Sequence, residues 1–333
     1  MSKIFIIGAG GFGTALAVMA HKYGHDVILW SAVTSEIDEI LEHGQNKKYL
    51  PGVAVDMSIN LGGDLSSCHG CDLIIIAVAS KYIRTVAALL PEFLSRSEIL
   101  LSVSKGVEPT TLKRLSEVIK EECPKNPVAA LSGPSHAEEV ARLVPTTVSV
   151  ASDDINVAKK IQSVLTNDAF RVYANNDIIG LELGGALKNV IALCAGIADG
   201  LKLGDNTKAA LMTRGIAEIT RLGVAMGGKP LTFSGLSGIG DLIVTCTSMH
   251  SRNRRAGIMI GEGISPELAI ERVGTVVEGY QMTKTAYALS KKYNVEMPIT
   301  EESYKILFEN KNPKDAILDL MNRAATAENI QNV

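Results

Sequence analysis

The stretch KIFIIGAGGFGTALAVMAHK, residues 3–22, decides the fold of the first half of the chain. The short apolar run at 3–7 predicts a buried β-strand, and the pattern from residue 14 onward predicts a helix. Between them lies GAGGFG, residues 8–13, which has the spacing G-x-G-x-x-G. A strand that leads through this motif into a helix is the context in which the motif binds a dinucleotide. The stretch therefore predicts a first strand–helix unit with a dinucleotide-binding loop.

Each glycine of this motif has its own physical role. Gly8 permits a tight turn, Gly10 leaves room for a pyrophosphate to approach the backbone, and Gly13 lets the helix pack closely on the strand. The N-terminus of the helix offers free N–H groups and a partial positive charge to that pyrophosphate. We therefore predict that the loop holds the pyrophosphate of NAD or NADP. The alternative is a glycine-rich turn that only packs.

The end of the second predicted strand, residues 26–30, bears on the choice between NAD and NADP. NAD sites usually place Asp or Glu there beside the ribose 2′-hydroxyl, whereas an Arg accommodates the 2′-phosphate of NADP. Ser31 and Ala32 follow Trp30, so neither an acid nor an Arg comes directly after the strand. The preference is therefore open, and we expect both cofactors to work with NADPH moderately preferred. Candidate contacts for a 2′-phosphate are Ser31, Thr34, Lys47 and Lys48.

The rest of the first half alternates short apolar runs with amphipathic segments. Strands are predicted at 26–30, 72–78, 99–102, 128–131 and 147–151, and helices at 14–22, 34–41, 83–94 and 112–123. Several of the runs are apolar almost throughout, which is typical of strands that are buried on both faces. The alternation predicts an α/β domain of the Rossmann type, a parallel-rich sheet with helices on both faces.

Beyond about residue 177 the pattern becomes helical. Helices are predicted at 182–199, 208–226, 237–247, 252–261, 265–273, 279–293, 299–308 and 313–323. Strand-like runs become rare in this half, which indicates an all-α domain. We therefore expect a dinucleotide-binding domain at 1–178 and a helical substrate and catalytic domain at 179–333.

The composition argues against several other classes of protein. The chain has 333 residues, enough for two cores, and is 46% hydrophobic and 21% charged. Its formal net charge of −3 argues against a nucleic-acid partner. The apolar runs are too short to predict a membrane span, and the start does not resemble a signal peptide. Five scattered cysteines, with a single C-x-x-C at 68–71, predict free thiols and no metal site, so we expect a cytoplasmic protein.

One helical segment, residues 184–196, is unusually apolar for a segment that contains a lysine. The residues one turn away from Lys188, among them Gly184 and Ile191, carry no charge. Loss of hydration would lower the pKa of such a lysine toward neutrality, which suits proton transfer. A lysine that extends from a buried helix to the surface is the alternative, and composition leaves both possibilities open.

Three further segments are candidates for polar ligand contacts. SKG, residues 104–106, follows a predicted strand, and open α/β sheets bind ligands at the carboxyl ends of their strands. SRN, residues 251–253, begins a predicted helix, where N–H, hydroxyl and guanidinium donors suit a phosphate. A solvated basic surface is the alternative for both. GPSHAE, residues 133–138, also begins a helix, which Ser135 is expected to cap, and His136 is expected to be structural.

Together these segments resemble the bacterial NAD(P)-dependent glycerol-3-phosphate dehydrogenases over essentially the whole chain. The most specific match is GALKNVIA, residues 185–192, with the glycine and polar positions that continue to residue 206. Supporting matches are YLPG at 49–52, SKG at 104–106, LSGPS at 131–135, GDL at 240–242 and SRN at 251–253. The resemblance implies that the helical domain is of the 6-phosphogluconate-dehydrogenase-like type.

The resemblance also implies roles for individual residues. Lys188 is implied as the proton donor to the substrate carbonyl and the acceptor in the reverse direction. The implied substrate contacts are Lys105, Gly133, Ser135, Asn189, Asp241, Thr245, Ser251, Arg252 and Asn253. The implied cofactor contacts are Gly11, Phe12, Lys105, Ala137, Arg252, Val276 and Glu278, which join Gly8, Gly10, Gly13 and Ser31 from the motif analysis.

The reaction implied by the family is the interconversion of glycerone phosphate and sn-glycerol 3-phosphate by hydride transfer with NAD(P)H. Such enzymes are usually homodimers, and they supply glycerol phosphate for phospholipid synthesis. We expect a small phosphate substrate, no metal, no nucleic acid and no membrane insertion. Two alternatives remain open: a related 3-hydroxy acid dehydrogenase of the 3-hydroxyisobutyrate type, whose substrate carries a carboxylate, and a non-catalytic nucleotide sensor.

The chain departs from the family pattern at several positions. Gly11 and Phe12 stand where Ser and Trp are common, and His136 stands where Phe is frequent. Ala79 stands where Pro usually follows the third-strand valine. Ala32 stands where an Arg often contacts the 2′-phosphate, and only this departure places an assignment in doubt, the preference for NADP.

Overall fold

The computed structural model describes residues 1–325, and its strands all lie in the first 175 of these. The strands are β1 Lys3–Ile7, β2 Asp26–Trp30, β3 Asn60–Leu61, β4 Leu73–Ile76, β5 Ile99–Ser102, β6 Val128–Ser132, β7 Thr146–Ala151 and β8 Phe170–Asn175. The helices are α1 Gly11–Lys22, α2 Thr34–His43, α3 Ile83–Ala87, α4 Leu115–Glu122, α5 Ala137–Ala141, α6 Ile155–Leu165, α7 Ile178–Gly200, α8 Gly204–Ala225, α9 Pro230–Phe233, α10 Asp241–Thr247, α11 Arg252–Gly261, α12 Pro266–Val273, α13 Glu278–Lys292, α14 Pro298–Phe308 and α15 Pro313–Met321.

The strands form one sheet in the order β3-β2-β1-β4-β5-β6-β7-β8. All neighbouring pairs are parallel except β6 and β7, which are antiparallel. The sheet is covered on both faces, as the alternating side chains of β1 show. Ile4 and Ile6 belong to one apolar cluster, and Phe5 and Ile7 belong to another. The strand order reverses between β1 and β4, and this is where ligands of open α/β sheets bind. The predicted Rossmann-type sheet domain is confirmed.

The helical half is built around α7, which is buried along nearly its whole length. A Cβ atom on Gly196 would lie 2.1 Å from the Arg254 carbonyl oxygen, and one on Gly257 would lie 2.1 Å from the Leu193 carbonyl oxygen. Helices α7 and α11 therefore touch backbone to backbone, which only glycine allows at these positions. This contact brings the first turn of α11 beside the middle of α7. The predicted all-α C-terminal domain is confirmed.

By length and composition, α7 is the one helix within residues 1–325 that could cross a membrane. However, 89% of its apolar 18-residue window is buried inside the protein. Burial of that kind is typical of the central helix of a folded domain.

Some predicted elements differ from the observed ones. The edge strands β3 and β8 were not predicted; β8 exposes Arg171 and Tyr173 on one face, so it lacks the continuous apolar run of the central strands. The helix predicted at 83–94 ends at Ala87, and the helix predicted from residue 112 begins at Leu115. Leu112 cannot belong to that helix because its φ of +59° is left-handed. The region predicted as one helix, 237–247, contains a π-helical turn, Leu236–Gly240, before α10.

Strand β8 ends at Asn175 and α7 begins at Ile178, capped by the Asp177 side chain, which accepts a hydrogen bond from the Gly180 backbone N–H. The proposed boundary between residues 178 and 179 thus falls in the first turn of α7. Residues 326–333, the end of the proposed second domain, lie outside the described residues.

Candidate active site

The loop between β1 and α1 has the geometry that a dinucleotide requires. Gly8 has a φ of +111°, and a Cβ atom on Gly13 would lie 2.0 Å from the Gly8 carbonyl oxygen. No atom lies within 4 Å of a Cβ built on Gly10, so the space in front of this residue is open. Helix α1 begins directly after it, and no side chain caps its N-terminus, where the first backbone N–H groups have no partner within the helix. The residues present therefore fit a pyrophosphate group.

A buried asparagine, Asn46, supports this loop and was not among the predicted residues. Asn46 donates hydrogen bonds to the Ala9 carbonyl oxygen at 2.6 Å and to Thr14 Oγ1 at 2.9 Å. Its own oxygen accepts from the Tyr49 N–H at 3.0 Å. The segment that contains YLPG is thereby tied to the glycine loop. The only available signal was its position three residues before Tyr49.

The first turn of α1 is in contact with a second segment of the sheet domain. A Cβ atom on Gly11 would lie 2.7 Å from the Tyr49 carbonyl oxygen and 3.7 Å from Ala137 Cβ. Phe12 is half-buried and packs on the apolar cluster beneath the sheet. Three of the predicted cofactor residues, Gly11, Phe12 and Ala137, therefore lie together at the start of α1.

The end of β2 contains a carboxylate that its immediate sequence did not reveal. Ser31 Oγ donates a 2.6 Å hydrogen bond to Glu36 Oε2, and Ser31 Oγ accepts from the Val33 N–H at 3.1 Å. No acid follows Trp30 directly in the sequence, but the first turn of α2 folds back and places Glu36 beside Ser31 at the end of the strand. In dinucleotide-binding sheets a carboxylate at the end of the second strand suits a ribose 2′-hydroxyl better than a 2′-phosphate.

Lys188 lies in the middle of α7 and is buried, with 5% of its surface exposed. Its Nζ lies 2.6 Å from Asp241 Oδ1 and also donates a hydrogen bond to Thr245 Oγ1. Burial lowers the pKa of Lys188 to about 8, although the attraction of Asp241 opposes this shift. The lysine does not extend to the surface, so that alternative is excluded. Its charged partner comes from α10, not from its own helix.

Asp241 joins two lysines that come from different halves of the chain. Its Oδ2 lies 2.7 Å from Lys105 Nζ, which follows β5 and also donates to the Gly133 carbonyl oxygen at 2.9 Å. Asp241 is 1% exposed, and burial would by itself raise its pKa. The ammonium groups of Lys105 and Lys188 nevertheless hold the pKa of Asp241 below its ordinary value. A Lys–Asp–Lys cluster thus bridges the sheet domain and the helical domain.

The two predicted asparagines form a buried chain of hydrogen bonds. Asn253 Nδ2 donates to Asn189 Oδ1 at 2.9 Å, and Asn253 Oδ1 accepts from the Gly279 N–H at 2.8 Å. This chain joins α7, α11 and α13 where each passes the cleft. It fixes the start of α11 next to Lys188.

Two arginines in the first turn of α11 have different surroundings. Arg254 is paired with Asp199, Nε to Oδ2 at 2.7 Å, and donates to the Thr247 carbonyl oxygen at 2.8 Å. Arg252 is exposed and makes no hydrogen bond or ion pair to any of residues 1–325. Ser251 Oγ accepts from the Arg254 N–H at 3.2 Å, which caps the helix. Arg252 is therefore free to bind a ligand anion.

Ser135 does not cap the next helix, contrary to expectation. Its Oγ donates to the Gly133 carbonyl oxygen at 2.9 Å, and the residue at the N-cap of α5 is His136. Gly133 has a φ of +142°, and its carbonyl oxygen accepts hydrogen bonds from both Ser135 Oγ and Lys105 Nζ. His136 packs on the His250 ring at a centroid distance of 5.6 Å, and burial lowers its pKa.

The remaining predicted cofactor residues lie at the start of α13. Val276 is exposed in the preceding loop, and Glu278 is the first residue of the helix. Glu278 Oε2 accepts a 2.8 Å hydrogen bond from Ser80 Oγ, which belongs to the turn after β4. Ser80 was not among the predicted residues. Within residues 1–325, no group of three or more His, Cys, Asp or Glu side chains is placed to hold a metal.

A Rossmann-type domain, an open glycine loop and a buried lysine at the meeting point with a helical domain define a two-domain nicotinamide-dependent dehydrogenase. Comparison with known protein families identifies which family of dehydrogenases this chain belongs to. The profile described as NAD-dependent glycerol-3-phosphate dehydrogenase N-terminus matches residues 3–158, and the corresponding C-terminus profile matches residues 177–318. The chain belongs to this family, as its sequence resemblance predicted.

Individual relatives are similar over their whole length. Glycerol-3-phosphate dehydrogenase [NAD(P)+] of Desulfitobacterium hafniense is 51% identical over 98% of this chain and 93% of its own length. The protein of the same name from Bacillus licheniformis is 53% identical, over 98% of this chain and 96% of its own length. The crystal structure of glycerol-3-phosphate dehydrogenase from Coxiella burnetii has a TM-score of 0.93 at 39% identity, and the match covers 97% of this chain and 99% of that one.

Proposed function

We propose that this chain interconverts glycerone phosphate and sn-glycerol 3-phosphate with NADH or NADPH. The observation that carries the proposal is the buried Lys188, held by Asp241 and Thr245 where the cofactor domain meets the helical domain. A pKa of about 8 lets this group give up and take back a proton near neutral pH. The names of relatives at 51–53% identity support the substrate.

Lys188 is the proton donor in the reduction. Its ammonium group donates a hydrogen bond to the carbonyl oxygen and transfers the proton as that oxygen becomes an alkoxide. In the oxidation the neutral amine takes the proton back. Asp241 favours the charged form of the lysine, and Thr245 restricts the direction of its Nζ. When bound, the nicotinamide ring supplies or accepts the hydride.

The phosphate of the substrate binds at the first turn of α11. Arg252 supplies an unpaired guanidinium, and a charge-assisted hydrogen bond from this group suits a phosphate dianion. Binding of the phosphate, which is remote from the reacting carbon, orients the carbonyl group. Part of the binding energy therefore accelerates the chemical step. The other proposed substrate contacts are Lys105, Gly133, Ser135, Asn189, Asp241, Thr245, Ser251 and Asn253.

A dinucleotide would be held at the carboxyl ends of β1, β2 and β4. Gly8, Gly10 and Gly13 shape the pyrophosphate loop, and the open space at Gly10 supports this assignment. The other proposed cofactor contacts are Gly11, Phe12, Ser31, Lys105, Ala137, Arg252, Val276 and Glu278. We further propose residues 1–178 as the cofactor domain and 179–333 as the substrate domain of a cytoplasmic homodimer that supplies phospholipid synthesis.

The decisive experiment measures oxidation of NADPH and of NADH by the full chain with two substrates. One is glycerone phosphate, and the other is the aldehyde that corresponds to 3-hydroxyisobutyrate. We expect turnover with the phosphate and little with the carboxylate. The reverse result would replace the proposal with a 3-hydroxy acid dehydrogenase, and cofactor binding without turnover of either would indicate a nucleotide sensor.

A further inference from the structure

Ser80 connects the two domains through a single carboxylate. Its Oγ donates to Glu278 Oε2 at 2.8 Å, and its backbone N–H points to Glu278 Oε1 at 3.4 Å. The two residues are 198 positions apart in the chain. Ser80 lies in the turn after β4, and Glu278 begins α13, so both oxygens of a helical-domain carboxylate face one residue of the sheet domain.

The space around this pair is closely fitted. A Cβ atom on Gly106 would lie 2.6 Å from Ser80 Cβ, 2.9 Å from Ser80 Oγ and 4.0 Å from Glu278 Oε2. Any side chain at position 106 would therefore push Ser80 away from the carboxylate. Position 106 therefore requires glycine because Ser80 lies so close to it. The sequence pattern alone did not reveal this reason.

The position of the pair in the sheet indicates which part of the cofactor it faces. The adenosine ribose of a bound dinucleotide lies at the end of β2, and the pyrophosphate lies at the β1 loop. The nicotinamide half then continues past β1 toward β4 and β5, whose ends carry Ser80 and Gly106. The nicotinamide ring bears a carboxamide with two N–H donors, and a carboxylate is a strong acceptor for them.

We propose that Ser80 is a positioning residue, which orients the Glu278 carboxylate to accept a hydrogen bond from the carboxamide N–H of the nicotinamide ring. Ser80 itself does not touch the ring. Its hydroxyl and N–H satisfy one side of the carboxylate and leave the other side for the ligand. This inference rests on the proposed function, because it requires a nicotinamide dinucleotide in the cleft.

The test compares two dinucleotides on the full chain and its Ser80→Ala variant. One is NADP⁺. The other is 3-acetylpyridine adenine dinucleotide phosphate, in which a methyl ketone replaces the carboxamide, so the substituent on the pyridine ring has no N–H. For NADP⁺ we expect Ser80→Ala to raise Kd about tenfold, the effect of misplacing one hydrogen bond to a charged group. For the acetylpyridine analogue we expect a change of less than about twofold, because the hydrogen bond is absent from the start.

Two further variants and one measurement without cofactor complete the experiment. Ser80→Thr keeps the hydroxyl and should restore much of the affinity, whereas Ser163→Ala, which removes an exposed hydroxyl within α6, should change neither Kd. Hydrogen exchange at the first amides of α13 should become faster in the cofactor-free Ser80→Ala variant, since Glu278 is no longer fixed.

The outcomes separate this role from the proposed function. A wild-type chain that binds neither NADP⁺ nor NAD⁺ would overturn the proposed function. If the wild type binds NADP⁺ but Ser80→Ala weakens both dinucleotides equally, the positioning role of Ser80 is wrong and its contact with Glu278 only supports the fold.

Discussion

Lys188 Nζ lies 2.6 Å from Asp241 Oδ1, although the two residues are 53 positions apart and both are buried. The second carboxylate oxygen, Asp241 Oδ2, binds Lys105. One negative charge is thus shared by two ammonium groups, so the cluster carries an excess positive charge. Such a cluster favours a ligand oxygen that becomes negative. Burial, with a smaller contribution from the charge of Lys105, lowers the pKa of Lys188 to about 8, although Asp241 opposes the shift.

Replacement of Lys188 by Met retains much of the length and packing of the side chain but removes its proton and charge. We expect kcat for glycerone phosphate to fall by about 10²–10⁴-fold, the usual contribution of a general acid or base. The Kd for NADPH should change little, because the glycine loop belongs to the other domain. Lys284→Met, at an exposed position of α13, serves as the control. A kcat within about threefold of wild type would contradict the proposed role.

The pH dependence should follow the protonation of Lys188. Its pKa of about 8 lies below that of an ordinary lysine, so the reduction should slow above about pH 8 and the oxidation should accelerate over the same range. Asp241 raises the pKa of Lys188, so Asp241→Asn should move the midpoint to lower pH. Profiles of kcat/KM in both directions measure this, and an unmoved midpoint would show that another group titrates.

Arg252→Ala should weaken recognition of the phosphate. The guanidinium has no hydrogen-bond or ion-pair partner among residues 1–325, and removal of a charge-assisted pair with phosphate costs about 2–4 kcal/mol. KM for glycerone phosphate should rise strongly, whereas KM for free dihydroxyacetone should not. Arg255→Ala, an exposed arginine of the same helix, is the matched control. Equal effects on both substrates would exclude a phosphate contact.

Glu36 should limit the use of NADPH. The carboxylate that accepts from Ser31 lies at the end of β2, where it would repel the 2′-phosphate of a bound NADPH. Glu36→Gln should raise the ratio of kcat/KM for NADPH to that for NADH about fivefold, on the order of 1 kcal/mol for two charges in a wet site. Glu39→Gln, on the same helix, provides the comparison. An unchanged ratio in Glu36→Gln would mean that Glu36 does not face the ribose.

Glu218 should make stability depend on pH. This residue of α8 is buried and accepts the Ile299 N–H at 2.7 Å, and burial raises its pKa to about 7. The folded state then holds a proton that the unfolded state releases near pH 4.5, so stability falls as pH rises from about 4.5 to 7. The loss amounts to about 3 kcal/mol at most.

Urea unfolding of wild type and Glu218→Gln between pH 4.5 and 8 measures this contribution. The fall in the urea midpoint over this range should be smaller in the variant, because glutamine does not titrate. Parallel curves for the two proteins would show that the carboxylate titrates in the ordinary range.

Local sequence patterns were sufficient for the fold class and for the family. The apolar runs at 3–7 and 99–102 became central strands of the sheet, because a strand buried on both faces must be apolar at every position. The edge strands could not be predicted in this way, because β8 is polar on one face and β3 has only two residues. The position of the glycine loop was also predictable, since its spacing encodes a local turn.

The sequence by itself determined the glycine loop, the alternation that specifies the sheet and the apolar helix that contains Lys188, because each depends on residues within a few turns of one another. Only the tertiary structure decided which side chains bind Lys188 and the other polar residues of the site. Asp241 joins it to Lys105, Glu36 folds back to Ser31, and Glu278 reaches Ser80. These partners lie far apart or on separate elements, and they meet because burial of the apolar faces of α7 and the sheet brings their polar ends together at one cleft.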